Sequence, residues 1–158
     1  MFTYDHDHFM EQALREANKA FELGEVPVGA VVVRENQIIG RGHNRTEGLK
    51  DATAHAEMLA ITSAAEQIGD WRLDGCLLYT TVEPCAMCAG AAVLSRIKTI
   101  VYGAPDPRFG ACGTLFEVPT DTRLIHRIEI VSGIMEKEAA ELMQLFFRQV
   151  RKNKEKIE

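Results

Sequence analysis

Near the start of the chain, apolar side chains recur at three- and four-residue intervals, which is the spacing of an amphipathic helix. The pattern runs from Phe9 to Leu23 and is followed by Gly24, a residue type that commonly ends helices. Two apolar stretches come next, at residues 28–33 and 37–42, and the polar pair Glu35-Asn36 separates them. They predict two strands joined as a β-hairpin.

Beyond the hairpin, strand-like and helix-like patterns alternate along the chain. Further strands are predicted at residues 77–80, 99–102 and 128–131, and further helices at 55–68, 84–94 and 136–152. Polar residues 44–53 and the Gly- and Pro-rich residues 104–114 predict loops. A hairpin followed by helical crossovers predicts a three-layer α/β/α domain, in which a mixed sheet lies between two layers of helices.

Length and composition are those of an ordinary globular protein. With 158 residues, of which 46% are hydrophobic and 26% charged, the chain can bury a core, and we expect a single domain spanning residues 1–158. No apolar run approaches the roughly 20 residues of a membrane helix, and the N-terminus lacks the pattern of an export signal. We therefore expect no membrane contact and a cytoplasmic location, where the four cysteines stay reduced or bind metal.

The net charge of −5 disfavours a broad nucleic-acid surface, which usually carries an excess of Lys and Arg. Charge is uneven, however, because residues 148–158 contain five cations and two glutamates. This basic end of the last helix could contact phosphate groups. It could equally stabilise the helix C-terminus and keep a fraying tail in solution, and the charge pattern leaves both interpretations open.

Three residues with metal-binding side chains stand in two short motifs. Cys85 and Cys88 follow Pro84 at the start of a predicted helix, so both sulfurs lie on one helical face. Helix N-terminal amides and a metal ion both lower the pKa of a thiol, and His55 at the start of another predicted helix can supply a third ligand. Three protein ligands leave one tetrahedral position of Zn²⁺ for water, which is the arrangement of a catalytic site.

Glu57 is the candidate catalytic residue. It stands two positions after His55, so the two side chains diverge on a helix and Glu57 is not expected to be a ligand. A carboxylate beside the open position could take a proton from water whose pKa zinc brings to about 7. The combination of His-x-Glu with Pro-Cys-x-x-Cys is the signature of zinc deaminases that act on nucleobases.

Two non-catalytic interpretations of these motifs are weaker. A closed zinc finger would need a fourth ligand, and it is a small metal-dependent fold, whereas this chain has core enough to fold without one. A redox role for Cys85 and Cys88 would leave the His-x-Glu motif unexplained.

Further motifs carry a resemblance to a known family. They are Glu25-Val26-Pro27-Val28-Gly29-Ala30, His43-Asn44-Arg45, Thr53-Ala54-His55-Ala56-Glu57, Ala104-Pro105-Asp106, Gly110-Ala111-Cys112-Gly113-Thr114 and Phe146-Phe147-Arg148. Through them the chain, as far as about Lys152, resembles the TadA family of bacterial tRNA-specific adenosine deaminases, within the cytidine deaminase-like superfamily. The metal motif is shared across that superfamily, so it is the flanking motifs that indicate the substrate.

The resemblance implies a five-stranded mixed sheet, a homodimer with active sites near the interface, one Zn²⁺ per chain, and hydrolytic deamination of the wobble adenosine of tRNA anticodons to inosine. It also implies substrate contacts by the following residues: Pro27, Val28, Asn44, Ala56, Asp106, Phe147 and Arg148. From the residues alone, Asn44 and Asp106 are explained as well by turn formation, and Pro27 and Val28 by core packing. We expect Phe146 to be buried and Phe147 to lie nearer the RNA.

In the reaction so implied, Glu57 moves protons from water to the adenine ring nitrogen and the leaving amine. Two rival functions remain. A deaminase of a free base or nucleoside (guanine, cytosine or cytidine) would share the metal motif, and a zinc-stabilised RNA-binding module would not need Glu57. Of the other cysteines, Cys76 at a strand start is expected in the core, and Cys112 in the loop after Asp106 is not required by the metal motif.

Overall fold

A five-stranded mixed sheet organises the chain, which the computed structural model describes over residues 2–158. Its strands are β1 (Gly29–Arg34), β2 (Gln37–His43), β3 (Leu77–Val82), β4 (Thr99–Ala104) and β5 (Glu129–Val131). They lie in the order β2-β1-β3-β4-β5. Strand β1 is antiparallel to both of its neighbours, whereas β3, β4 and β5 are parallel, so the hairpin and the crossovers both form as predicted.

Helices cover both faces of this sheet. Those of residues 2–158 are α1 (His6–Glu22), α2 (Thr46–Leu49), α3 (Ala56–Ile68), α4 (Ala86–Leu94) and α5 (Glu136–Ile157). Helices α1 and α5 lie on one face, over a buried cluster that includes Phe9, Val31 and Tyr79. Helices α3 and α4 lie on the other, over a cluster that includes Ala60 and Ile100. The predicted three-layer α/β/α architecture is confirmed, and no helix within residues 2–158 has the length and apolarity to cross a bilayer.

The first and last helices are longer than the apolar periodicity predicts. Helix α1 begins at His6 because Asp5 caps it, with the Asp5 carboxylate accepting a hydrogen bond from the backbone N–H of His8 at 3.1 Å. Helix α5 continues to Ile157, beyond the predicted end at residue 152. Its final turns consist largely of Lys and Glu, which favour helix even without an apolar face to bury.

The short helix α2 lies within residues 44–53, for which the sequence predicts only a loop. The buried Glu25 carboxylate accepts hydrogen bonds from the backbone N–H groups of Glu47 (3.1 Å) and Gly48 (2.6 Å) in its first turn. A carboxylate there satisfies donors that have no partner inside the helix. This contact spans more than 20 positions of the chain, so no local pattern reveals it.

Two glycines of β2 let α3 lie close against the sheet. A Cβ on Gly42 would come within 2.7 Å of the backbone nitrogen of Ala60, and a Cβ on Gly40 within 2.7 Å of that of Ala64. Both would also run into carbonyl oxygens of the helix. Because α3 begins with the His-x-Glu motif, this close contact positions the motif relative to the sheet.

One edge of the sheet collects residues from separate motifs. Strands β2, β3 and β4 end at this edge, and β1 begins there. Asn44 follows β2, Cys85 comes shortly after β3, Asp106 comes shortly after β4, and Val28 precedes β1. In open α/β sheets, ligands bind beyond the carboxyl ends of the strands, so this edge is expected to carry the functional site.

Replacing Gly42 by Ala is expected to lower the free energy of unfolding by about 1–3 kcal/mol, because the added Cβ overpacks a backbone contact that no side-chain rotation can relieve. Urea denaturation followed by circular dichroism measures the change. Gly48→Ala is the matched control, since a Cβ there would meet only a Glu25 carboxylate oxygen at 3.5 Å. Equal stability of the two variants would contradict the close approach of α3 to β2.

Candidate metal centre and active site

Three potential metal ligands meet at this edge of the sheet. His55 Nδ1 lies 3.6 Å from Cys85 Sγ and 3.5 Å from Cys88 Sγ, and all three donor atoms lie within 4.8 Å of one another. A tetrahedral zinc ion, about 2.3 Å from sulfur and about 2.0–2.1 Å from nitrogen, holds its ligand atoms roughly 3.5–3.8 Å apart. The cluster therefore has the spacing and the donor chemistry of a site that could hold a metal ion.

The start of a helix places each of these ligands. His55 and Cys85 are the N-capping residues of α3 and α4, with extended backbone conformations (φ −78°, ψ 151° and φ −73°, ψ 175°). Cys88 lies in the first turn of α4, which begins at Ala86 and not at Pro84 as predicted, because the extended backbone of Cys85 does not belong to the helix. The positive ends of both helix dipoles face the cluster and favour thiolate.

Hydrogen bonds among His55, Cys85 and Cys88 shift the pKa values of all three side chains. The hydrogen bond from the Cys88 thiol lowers the pKa of Cys85 to about 4, and the same contact together with burial raises the pKa of Cys88. The hydrogen bond with Cys85 also raises the pKa of His55. Without a cation, one thiolate forms and Cys88 keeps its proton. A divalent cation would favour the loss of that proton.

Glu57 lies in the first turn of α3, and its side chain is only 3% exposed. Thr80 Oγ1 lies 3.2 Å from Glu57 Oε1 and 3.0 Å from the carbonyl oxygen of Val82. A hydroxyl has one proton, so while Thr80 donates to Val82 it can only accept from a protonated Glu57. Burial raises the pKa of Glu57, which favours that form. By turning its hydroxyl, Thr80 can pair with either protonation state of the carboxyl group.

A second buried carboxylate holds the loop that follows β4. Glu83 accepts hydrogen bonds from the backbone N–H groups of Asp106 (3.1 Å), Cys112 (2.9 Å) and Thr114 (3.2 Å). Although burial opposes it, the hydrogen bonds from the Thr114 hydroxyl and these amides keep the pKa of Glu83 below its ordinary value. A Cβ on Gly110 would run into this carboxylate. The loop is therefore fastened to the strand end that carries the cysteine motif.

Sequence reasoning did not single out Thr80 or Glu83. Both are buried polar residues at the end of β3, and a polar side chain in an otherwise apolar buried strand must find a partner. That signal was present in the pair Thr80-Thr81 and in the acid directly before Pro84. What it could not provide was the identity of the partners, which come from α3 and from the loop after β4.

Two of the residues implied as substrate contacts are hydrogen-bonded within the protein itself. Asn44 is buried, its Nδ2 donates to the carbonyl oxygen of Val26 at 3.3 Å, and its Oδ1 accepts from the Thr46 hydroxyl at 2.7 Å. The carboxylate of Asp106 accepts from the backbone N–H of Arg108 at 2.9 Å. Asp106 thus makes the local turn contact, whereas the Asn44 amide bonds a backbone carbonyl that lies 18 positions away in the chain. Both also lie at the site edge of the sheet.

The other implied contacts at this edge are apolar residues with little solvent exposure. Pro27 and Ala56 are buried and Val28 is half-buried against the apolar cluster under α3. Cys76 is fully buried in that cluster, as predicted. Burial raises the pKa of Cys112 to about 12, so it is a neutral thiol, and it is not one of the three clustered donors.

Helix α5 carries the remaining two implied contacts. Phe146 is 9% exposed, so its predicted burial is confirmed, and Phe147 is 36% exposed. The Phe146 ring packs on Phe21, in the last turn of α1, at a centroid distance of 6.0 Å. Arg148 is exposed and lines a groove with Leu14 of α1. These residues therefore lie in the layer formed by α1 and α5, and the candidate metal ligands lie at the starts of the helices of the opposite layer.

Residues 4–151 match the family model of MafB19-like deaminases, and the fold together with the ligand cluster defines a deaminase of the cytidine deaminase-like class. The chain is 49% identical to a tRNA-specific adenosine deaminase of Bacillus subtilis, over 92% of this chain and 91% of that relative. It is 47% identical to the enzyme of the same name from Aquifex aeolicus, over 93% and 97% of the two chains. The chain belongs to the family of tRNA-specific adenosine deaminases.

The chain also resembles solved structures of deaminases. A protein from a study of A-to-I editing by tRNA:A34 deaminases superposes with a TM-score of 0.82 and 46% identity, covering 85% of this chain and 98% of that one. A guanine deaminase of Bacillus subtilis gives a TM-score of 0.61 and 39% identity over 65% and 66% of the two chains. A guanine deaminase of Nitrosomonas europaea, 23% identical with a TM-score of 0.78, shares the fold.

Adding Zn²⁺ to the metal-free protein at pH 7 is expected to release at least one proton per chain, because Cys88 must become a thiolate to bind. The colour change of an indicator in weak buffer measures the release. Since the pKa values of Cys88 and His55 are both raised in the free cluster, and only their deprotonated forms bind, affinity should increase as pH rises.

Two cysteine variants serve as controls, one inside the candidate metal cluster and one outside it. Cys88→Ala should abolish tight binding, whereas Cys76→Ala, which removes a buried thiol outside the cluster, should leave the proton release unchanged. Tight binding of Zn²⁺ without proton release would contradict the assigned protonation of the cluster.

Proposed function

We propose that this protein converts the wobble adenosine of tRNA anticodons to inosine by zinc-dependent hydrolytic deamination. The observation that carries the proposal is the cluster of His55, Cys85 and Cys88 with the buried Glu57 beside it, in a chain that belongs to the tRNA-specific adenosine deaminase family. Zinc finger and redox roles would have no use for a buried carboxyl group at this position.

One Zn²⁺ per chain is the proposed cofactor, held by His55, Cys85 and Cys88. The two sulfurs and one nitrogen suit a borderline-soft ion that prefers tetrahedral coordination. When bound, the ion lowers the pKa of water to about 7 and so supplies a nucleophile at neutral pH. Three protein donors leave room for that water, which a closed structural site would not.

Glu57 is the proposed catalytic residue, and its task is to move protons. It accepts a proton from the attacking water, delivers it to the ring nitrogen of adenine as carbon 6 is attacked, and assists departure of the amine as ammonia. Burial raises the pKa of Glu57 above its ordinary value, which suits a group that both accepts and donates. Thr80 keeps the carboxyl group hydrogen-bonded in both states.

The substrate is the proposed partner at the edge of the sheet, where Asn44, Pro27, Val28, Ala56 and Asp106 line the approach to the cluster. A base must leave its stack to reach such a site, and this is easiest in a single-stranded loop such as an anticodon. Phe147 and Arg148 of α5 are the proposed outer contacts with the RNA. Local basic groups must supply the attraction, since the net charge is −5.

A homodimer is proposed as well, with α4 at its interface. The outer face of this helix consists of apolar or small residues: Ala86, Met87, Gly90, Ala91 and Leu94. Leu94 is 66% exposed, and a Cβ on Gly90 would meet nothing within 4 Å, so the chain itself does not require a glycine there. A second copy on this face would cover the apolar surface and lie beside both cysteine ligands.

We further propose that residues 1–158 form one deaminase domain that works in the cytoplasm. Helices from both ends of the chain pack on the same sheet, which supports a single unit. The substrate proposed here is found with the translation machinery, and all four cysteines lack a disulfide partner, as expected in a reducing compartment.

Glu57→Gln is expected to reduce inosine formation by at least about 10²–10⁴-fold, because the amide cannot relay a proton. An anticodon stem-loop with wobble adenosine is incubated with the purified protein, and nucleosides are quantified after digestion. Zinc content per chain should stay unchanged, since Glu57 is not a proposed ligand. Glu66→Gln, on the exposed side of the same helix, is the matched control and should react normally.

Substrate class is tested in the same assay by running free adenosine, guanine and cytidine alongside the stem-loop. Faster turnover of a free base or nucleoside than of the stem-loop would favour the alternative of a free-base deaminase, in line with the guanine deaminases that share the fold. Near-normal inosine formation by Glu57→Gln would refute the assigned proton relay.

Gly90→Leu is expected to weaken dimerisation, because the larger side chain separates the two copies at α4 while the open surroundings of Gly90 let the chain fold. Sedimentation velocity over a dilution series measures the shift from dimer to monomer. Gln67→Leu, on the exposed face of α3, controls for an added surface leucine. A monomeric wild-type protein would show that the proposed dimer does not form.

A further inference from the structure

The loop after β4 presents an aromatic ring to solvent next to the site. Phe109 is 63% exposed, more than any other phenylalanine in residues 2–158. Burying such a side chain is worth about 1.5–3 kcal/mol, and the free chain gains little of this. An exposed ring beside a functional cluster indicates a surface that binds something.

The backbone that carries this ring is held at several points. The carboxylate of Asp106 accepts hydrogen bonds from the N–H groups of Arg108 (2.9 Å) and Phe109 (3.3 Å), and the Gly110 N–H donates to the Asp106 carbonyl oxygen at 3.0 Å. Glu83 holds the N–H of Asp106 from below. Because the ring is presented on a fixed backbone, a partner would order little of the chain on binding.

The backbone that carries this ring also passes close to Cys85, one of the candidate metal ligands. Gly110 pairs with Cys85 in an isolated β-bridge, and paired residues have Cα atoms about 4.5–5.5 Å apart. Phe109 is one residue further, about 3.8 Å along the chain, so its Cα lies within about 9–10 Å of that of Cys85. When the target base leaves its stack and enters the site, its neighbours remain attached through the phosphate backbone, which keeps them close to Phe109.

The chemistry around the ring favours a nucleotide. Arg108, the preceding residue, is exposed, and none of the ion pairs within residues 2–158 involves it. An aromatic ring with a free cation beside it matches a base and its phosphate, which is how proteins bind single-stranded RNA. A second copy of the chain is the competing occupant, because Leu115 and Phe116, both exposed, also return to Gly110.

We propose that Phe109 stacks on a base adjoining the target adenosine, while Arg108 contacts the phosphate of that nucleotide. This inference rests on the proposed function, and it adds a subsite that selects for a polynucleotide over a free nucleoside. The subsite requires only a flat π-face, so it holds the flanking nucleotide in position without choosing strongly between bases.

The test compares Phe109→Leu, which keeps an apolar side chain without the ring, with Phe109→Tyr, which keeps the ring. On the anticodon stem-loop, Phe109→Leu should raise KM by about 5- to 150-fold, the range for loss of one stacked base, with kcat changed less than about threefold. Phe109→Tyr should stay within about threefold of wild type in both. Phe2→Leu removes an exposed ring near the N-terminus and should change neither KM nor kcat.

A direct readout of stacking keeps the test independent of catalysis. Stem-loops carry 2-aminopurine, a fluorescent base, at each position flanking the wobble nucleotide in turn. Wild-type protein should quench at least one of them on binding, and Phe109→Leu should not. Replacing that base by an abasic site should weaken wild-type binding and leave Phe109→Leu almost unchanged, since the partner is already lost.

The outcomes distinguish this inference from the proposed function. If wild type forms no inosine, the proposed function fails, while the quenching measurement still decides the stacking. If wild type forms inosine but Phe109→Leu retains its KM and its quenching, the inference is overturned and the function stands. If Phe109→Leu dissociates a dimer in sedimentation velocity, the ring belongs to the interface between two copies and the inference is likewise overturned.

Discussion

The three ligand atoms can share one ion only if the starts of two helices meet within a few ångströms, and much of the architecture serves that constraint. Helix α4 starts where β3 ends, so the sheet itself carries Cys85 and Cys88 to the edge. Helix α3 follows the segment after β2. Because Gly40 and Gly42 have no side chains, α3 can pack closely against β2. His55 then lies 3.5–3.6 Å from both sulfurs.

Electrostatics ties this geometry to function. Glu57, Cys85 and Cys88 are three acidic groups in one partly buried volume, and an ionised Cys85 or Glu57 opposes ionisation of Cys88. Only one thiolate forms easily when no cation is bound. A divalent ion would reverse the balance by stabilising both thiolates, so its binding energy would also add to the stability of the folded state. The same grouping of acidic side chains that is unfavourable without a cation therefore favours the binding of a cation.

The sequence predicts whatever depends on residues close together in the chain. Periodicity located the sheet and the long helices, and side-chain chemistry at two helix starts identified His55, Glu57 and both cysteines as a group. What depends on distant partners stayed hidden. Helix α2 exists because Glu25 reaches its first turn, and the shape of the loop after β4 follows from Glu83. In both cases the sequence contains the acidic residue but does not indicate which distant backbone groups it binds.

The two loops beside the site are held in the same way, by a buried carboxylate that accepts backbone N–H groups. Glu25 secures the segment after Asn44, and Glu83 secures the segment that bears Asp106. Since guanine deaminases share this fold, the sheet alone does not select the substrate. Selection must come from the side chains around the cluster, including those that these loops present. Because the loops are already ordered, binding costs little conformational entropy, and a change of one presented side chain can change the substrate without disturbing the metal centre.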